Sequence, residues 1–135
     1  MDTTTQEILL KAKKIITLNP QIQGAYLYGS YAKRTNRTDS DIDIAIYGNN
    51  ISTDLILQLT DQLESELDKK VQMVILSKDT DLTFAKQIIT YNIPIFYKDL
   101  AQKNQNEIII AQKFYDQEYL RNLAYQQNKK YLGII

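Results

Sequence analysis

A chain of 135 residues and 15.7 kDa, 44% of it hydrophobic, is long enough for one domain whose core needs neither disulfides nor a structural metal. It contains no cysteine and no histidine, which excludes thiol nucleophiles, Cys/His zinc sites, Ser-His-Asp triads and histidine acid–base chemistry. Sixteen basic residues balance sixteen acidic ones, so no chain-wide field draws the protein to nucleic acid or acidic lipid, and direct nucleic-acid binding is not expected.

The periodicity predicts a first amphipathic helix over residues 4–17, with Ile8, Leu9, Ala12, Ile15 and Ile16 on one side. Asn19-Pro20 stops it, and Gln23–Tyr28 reads as a strand ending at Gly29. Residues 31–40 carry three cations and no large aliphatic side chain, a loop with at most one helical turn near its start. Asp41–Tyr47 alternates, Ile42, Ile44 and Ile46 on one face and Asp41, Asp43 and Ala45 on the other. Ser52 caps a helix over 52–68 with a single leucine and isoleucine stripe. Lys70–Leu76 is nearly continuous in apolar residues, which predicts an interior strand. A short helix over Asp81–Thr90 follows, then Ile93–Tyr97 as an edge strand, because proline cannot donate to a central ladder. A long polar helix from Asp99 to about Tyr131 closes the chain, with Ile108, Ala111, Tyr115, Tyr119 and Leu123 as its expected packing stripe. Interleaved strands and helices predict an α/β (α+β) fold, a single mixed sheet flanked by helices, in one domain over 1–135. No apolar run approaches the roughly 20 residues of a membrane span, and the polar opening is not a signal peptide, so a cytoplasmic protein is expected.

Chemistry concentrates in residues 28–44, YGSYAKRTNRTDSDIDI. Asp41 and Asp43 are separated by one residue on a strand, which puts both carboxylates on one face about 7 Å apart along the chain, able to converge on a hard cation. An Asp-x-Asp pair often marks only an exposed strand face. Here, however, it interrupts an isoleucine-rich strand in which aspartate is disfavoured, and two adjacent carboxylates repel without a cation between them. Oxygen donors select Mg²⁺. Upstream, Gly29-Ser30 ends a strand and opens a helical turn, where backbone N–H groups and a hydroxyl suit phosphate. Together the two features are equipment for a nucleoside triphosphate with Mg²⁺. Lys33, Arg34 and Arg37 either add phosphate contacts or form a solvated loop balancing the aspartates. Among the ten tyrosines, Tyr28, Tyr31 and Tyr47 surround the motif; core packing is the expected role for most, with base stacking open to one.

Gly29-Ser30, ten residues, then Asp41-x-Asp43, with Arg34 and Ser40 between them, resembles the signature of the polymerase-β-type nucleotidyltransferase superfamily. Chain length and element order over roughly 5–100 are similar to its stand-alone minimal nucleotidyltransferases (MNT proteins). The resemblance implies that Asp41 and Asp43 are catalytic, metal-binding residues, and that Gly29, Ser30, Arg34 and Ser40 bind the nucleotide. It further implies Mg²⁺ as cofactor, ATP as substrate and a HEPN-domain ribonuclease toxin as partner in a hetero-oligomer. The expected activity is transfer of AMP to a tyrosine of that toxin, making this chain its antitoxin. The sequence departs from the family at Gln72, where the next strand usually carries a third carboxylate that helps hold metal and serves as base; Asp68, Asp79 and Asp81 are the candidates to replace it. Two other activities follow from these features: an antitoxin that neutralises by binding alone, and a small-molecule or RNA nucleotidyltransferase whose acceptor site comes from a partner.

Overall fold

The computed structural model describes residues 4–131. The elements are α1 (Thr5–Ile16), β1 (Ile22–Tyr28), α2 (Ser30–Lys33), β2 (Ile42–Gly48), α3 (Thr53–Leu67), β3 (Val71–Ile75), α4 (Leu82–Thr90), β4 (Asn92–Tyr97) and α5 (Leu100–Tyr131). Each start has a local cause. The Thr4 hydroxyl accepts from Glu7 N at 3.1 Å, that of Ser52 from Leu55 N at 3.1 Å, and the Asp81 carboxylate from Phe84 N at 3.0 Å, each satisfying a donor that a helix leaves unpaired at its first turn.

The four strands form one mixed sheet in the order β3-β2-β1-β4. β1 pairs antiparallel with both β2 and β4, and β2 pairs parallel with β3. β1 and β2 are thus the central strands, and the sequence alternation gives each two different faces. On one face Ala25, Leu27, Ile42, Ile44 and Ile46 pack against Ile8, Ala12 and Ile16 of α1 and Leu55, Leu59, Leu63 and Leu67 of α3. This is the main core. On the other face Tyr26, Ala45 and Tyr47 meet Ala85 and Ile88 of α4, with Ile110 of α5 beside them.

Two expectations from the sequence are corrected. β3 is an edge strand and not interior. Its apolar run comes from being covered above and below: Val71 and Met73 join the α1/α3 core while Val74 joins the α4 side, and burial by flanking helices leaves the same pattern as burial between strands. The packing stripe of α5 is also displaced. Ile108, Tyr115, Tyr119 and Leu123 are exposed, whereas the inward contacts come from Lys103, Glu107, Ile110 and Phe114. Two of the inward positions are charged residues engaged by aromatic rings, so a hydrophobicity pattern selects the wrong side of the helix. The side chain of Tyr131, the last of the tail tyrosines, lies outside the described residues.

Leu63 is fully buried in the main core whereas Leu57, on the same helix, is 59% exposed. Leu63→Ala should therefore cost about 2–5 kcal/mol and Leu57→Ala about 0.5 kcal/mol or less. Urea denaturation of both variants checks the assignment of the buried face.

Candidate active site

The site is built where β1 ends beside the start of β2. Tyr28 is the register partner of Asp43 across β1/β2, and Gln72 is the partner of Asp43 across β2/β3. Immediately after Tyr28 the chain passes through Gly29 at φ 74°, ψ −149°, a region that essentially only glycine occupies. A Cβ at Gly29 would collide with Oδ2 of Asp43. Glycine is required here twice over, by its own backbone and by the carboxylate that fills the space a side chain would take.

α2 is a single turn. It is anchored by Tyr31, fully buried in the main core, so the turn is fixed although it is short. Its first residues keep N–H groups without intrahelical partners, and the Ser30 side chain stands beside them. Arg34 ends the turn in the left-handed conformation at φ 60°. Its side chain is exposed, as is that of Arg37. Lys33 is engaged elsewhere, with its ammonium 5.2 Å from the centre of the Tyr91 ring.

The loop into β2 is tied at both ends. The Ser40 hydroxyl accepts from Arg37 N at 2.7 Å and Ser40 N donates to Arg37 O at 3.0 Å, while Lys69 Nζ donates to Thr38 O at 2.6 Å. Ser40 therefore shapes the turn that presents Asp41, and its hydroxyl hydrogen remains to be donated. Asp41 and Asp43 are both half-buried and lie on the α4 side of the sheet. Burial, and then the charge of Asp41, hold the Asp43 carboxyl above the usual carboxylate range. Burial and the Asp43 charge push the Tyr28 hydroxyl up to about 12, so Tyr28 stays neutral. Its ring packs edge-on to Phe84 of α4 at 5.7 Å. Tyr28 is thus fixed at the site by its register with Asp43, which the sequence signalled only as a tyrosine next to the motif. Tyr31 is core.

Among the described residues no group of three or more acidic side chains could hold a metal. Asp68, Asp79 and Asp81 do not join the pair: Asp68 ends α3 in the left-handed conformation, and the Asp81 carboxylate is committed to the α4 cap. Gln72 and Tyr28 flank Asp43 in the sheet register, so the groups that could join the two carboxylates carry oxygen donors, which suit a hard divalent cation.

The chain is similar to known proteins. A profile of the family described as polymerase beta, nucleotidyltransferase, matches residues 10–101. The protein adenylyltransferase MntA of Shewanella oneidensis is 34% identical over 109 residues, covering 77% of this chain and 74% of that protein. Two solved structures share the fold. One is a toxin–antitoxin crystallised with AMP-PNP, at a TM-score of 0.73 and 21% identity, covering 91% of this chain and 97% of the matched chain. The other holds the tri-AMPylated HEPN toxin of S. oneidensis with its MNT antitoxin, at a TM-score of 0.67 and 22% identity, covering 89% and 97%.

Two outcomes follow from this geometry. Gly29→Ala should destabilise the fold by about 1–3 kcal/mol and displace the Asp43 carboxylate; calorimetry with divalent-cation titration measures both. For Asp43 the folded-state pKa lies above the unfolded one, so its contribution to stability is fully present below the ordinary carboxylate range and is lost as pH rises through the raised value. Asp43→Asn should accordingly raise the melting temperature of the metal-free protein at neutral pH and lose that advantage in acid, and an unchanged melting temperature at neutral pH would contradict a cost from burying the Asp43 charge beside Asp41.

Proposed function

Because the chain belongs to the polymerase beta nucleotidyltransferase family, we propose that it is a protein adenylyltransferase acting as the antitoxin of a HEPN-domain toxin. The observation that carries the site is the contact that makes Gly29 and Asp43 one unit, with the phosphate turn closed directly against the carboxylate strand. The activity is supported by the similarity to the Shewanella adenylyltransferase, and the partner by the fold shared with an MNT antitoxin seen beside a HEPN toxin.

In this reading Gly29 and Ser30 hold the distal phosphates of ATP through backbone N–H groups and a hydroxyl. Arg34 and the Ser40 hydroxyl face the same phosphates. Asp41 and Asp43 hold Mg²⁺, with the Gln72 amide oxygen beside them, and the ion supplies charge neutralisation for the triphosphate. The Tyr28 hydroxyl donates to Asp43 or to a phosphate oxygen and orients it. A tyrosine oxygen of the toxin attacks the α-phosphorus, forming an O–P bond as the bond to the bridging oxygen breaks; pyrophosphate leaves and the tyrosine proton passes to water. Orientation is the main contribution of the protein to such a step. Gln72 is neutral and takes no proton, so the chain supplies no dedicated base.

The exposed side of α5 supports a protein partner. Ile108, Tyr115, Tyr119, Leu123 and Tyr125 lie there uncovered, and amphipathic aromatic side chains are enriched in interfaces. No helix among the described residues is long and apolar enough to cross a membrane; we take the compartment to be the cytoplasm, where ATP is at hand.

Intact-mass spectrometry of the toxin after incubation with this protein, Mg²⁺ and ATP tests the proposal. Wild type should add one or more AMP units, and Asp41→Asn with Asp43→Asn should add none while remaining folded. A complex that forms without any mass gain would leave an antitoxin that works by binding alone, the reading that Gln72 favours. Gln72→Asp restores an acid beside Asp43 and should raise the transfer rate by about 10-fold or more, since a positioned base contributes roughly 10²–10⁴; an unchanged rate would mean that loss of the tyrosine proton does not limit transfer.

A further inference from the structure

The two edges of the sheet are unlike. β4 carries Pro94, which offers no N–H, and a bulge in its pairing with β1, two devices that blunt an edge. β3 carries neither. Its parallel register with β2 runs unbroken from Ile42↔Val71 to Ile46↔Ile75, and no strand lies beyond it among the described residues.

Two bonds fix which of its backbone groups point outward. Ile42 N donates to Lys70 O at 2.9 Å and Leu76 N donates to Ile46 O at 2.8 Å. Lys70, Gln72, Val74 and Leu76 therefore turn their N–H and C=O groups toward β2, and Val71, Met73 and Ile75, alternating with them, turn theirs away. Side chains close the first and last of the outward groups: Val71 N donates to the Glu64 carboxylate at 2.9 Å, and Thr80 Oγ1 donates to Ile75 O at 3.2 Å. Between these caps the Val71 carbonyl, the N–H and carbonyl of Met73 and the Ile75 N–H have no partner among the described residues. One short parallel strand pairs all of them. Its first residue gives its N–H to Val71 O and accepts from Met73 N; the residue two further on gives to Met73 O and accepts from Ile75 N. An antiparallel strand would set unmatched groups against the two capped ones.

This edge borders the carboxylates. Gln72 is the register partner of Asp43, and the first residue of an added strand, bracketed by Val71 O and Met73 N, falls in register with Gln72, two strand spacings or about 10 Å from Asp43. Its side chain points to the α4 side, where Val74 packs. In-line displacement needs an approach from here: pyrophosphate leaves toward Gly29 and Ser30 at the end of β1, so the attacking oxygen arrives from beyond β2, which is the β3 side.

We propose that the open edge of β3 docks the acceptor segment of the toxin as an added parallel strand, with the acceptor tyrosine opposite Gln72 and an apolar residue two positions later beside Val74. The inference rests on the nucleotidyl-transfer reading and adds to it how the acceptor is held. The tyrosine oxygen attacks the α-phosphorus, the bond to the bridging oxygen breaks, pyrophosphate leaves on the Gly29 side and the tyrosine proton passes to water. Main-chain hydrogen bonds hold the segment, and its two side chains on the α4 side select it.

Amide hydrogen exchange of the wild-type chain, free and in complex with the toxin, reads the edge without any variant. The Met73 and Ile75 amides should exchange about 10-fold or more slowly in the complex; unchanged exchange at both would overturn the docking. Transfer kinetics give a second reading. Ile75 is 37% exposed, and proline in its place removes an outward N–H while keeping the bonds to β2. Ile75→Pro should raise the KM for the toxin about 10-fold and leave ATP affinity in the presence of Mg²⁺ unchanged, whereas Ile75→Ala, which keeps the N–H, should transfer like wild type. A wild-type KM in Ile75→Pro, or an equal loss in Ile75→Ala, would overturn the proposal. If Ile75→Pro loses ATP binding as well, it acts through the fold and the exchange result decides. AMP addition by the wild type without protection of Met73 and Ile75 would overturn the docking and keep the transfer reading; protection without AMP addition would keep the added strand and overturn transfer.

Discussion

The active end of this protein depends on a steric fact at one backbone position. Gly29 stands at φ 74° with the Asp43 carboxylate in the space a Cβ would need. That single contact joins two functions that the chain separates by fourteen residues. The turn that opens α2 and the strand that carries the carboxylates are held in close contact, the arrangement that the proposed binding of a phosphate with its metal requires. Any side chain at Gly29 would drive them apart. The rest of the sheet serves this contact: β1 and β2 are its two central strands, pinned by a core on the opposite face that contains no buried charged group.

Dividing the sheet into one apolar face and one mixed face separates stability from function. The α1/α3 side is filled by apolar side chains, aliphatic but for Tyr31 and Phe96. The α4/α5 side carries the unfavourable terms: a carboxylate held above its usual range and an unpartnered tyrosine hydroxyl. Local cost concentrated where a ligand would relieve it is the common relation between strain and binding sites. The same face shows no third acid. With Gln72 in register with Asp43, the acidic charge at this end of the sheet is that of two carboxylates.

α5 has two roles along its length. Near its start, Lys103, Glu107 and Ile110 close the far end of the mixed face; beyond Phe114 the helix presents aromatic and aliphatic side chains to solvent. A 32-residue helix of low mean hydropathy has no apolar stripe to hold it on its own sheet, and it leaves that sheet after about four turns.

The alternation of Asp41–Tyr47 and the leucine spacing of residues 52–68 determined the strand, the helix and the core face from sequence alone, because periods of 2 and 3.6 are properties of the backbone and survive any packing. The Gly29-Ser30 to Asp41-x-Asp43 spacing likewise singled out the turn and the strand that the structure brings into contact. Sequence did not decide that β3 lies at an edge, since covering helices and flanking strands bury a residue equally. Nor did it reveal the inward side of α5, where Lys103 and Glu107 hold their place through a ring and a hydroxyl contributed by β1. Tyr28 beside Asp43, and the hydrogen bond from Tyr26 to Glu107, came only from the tertiary structure: strand register and helix docking bring together residues whose sequence separation, 81 in the second case, carries no periodic signal.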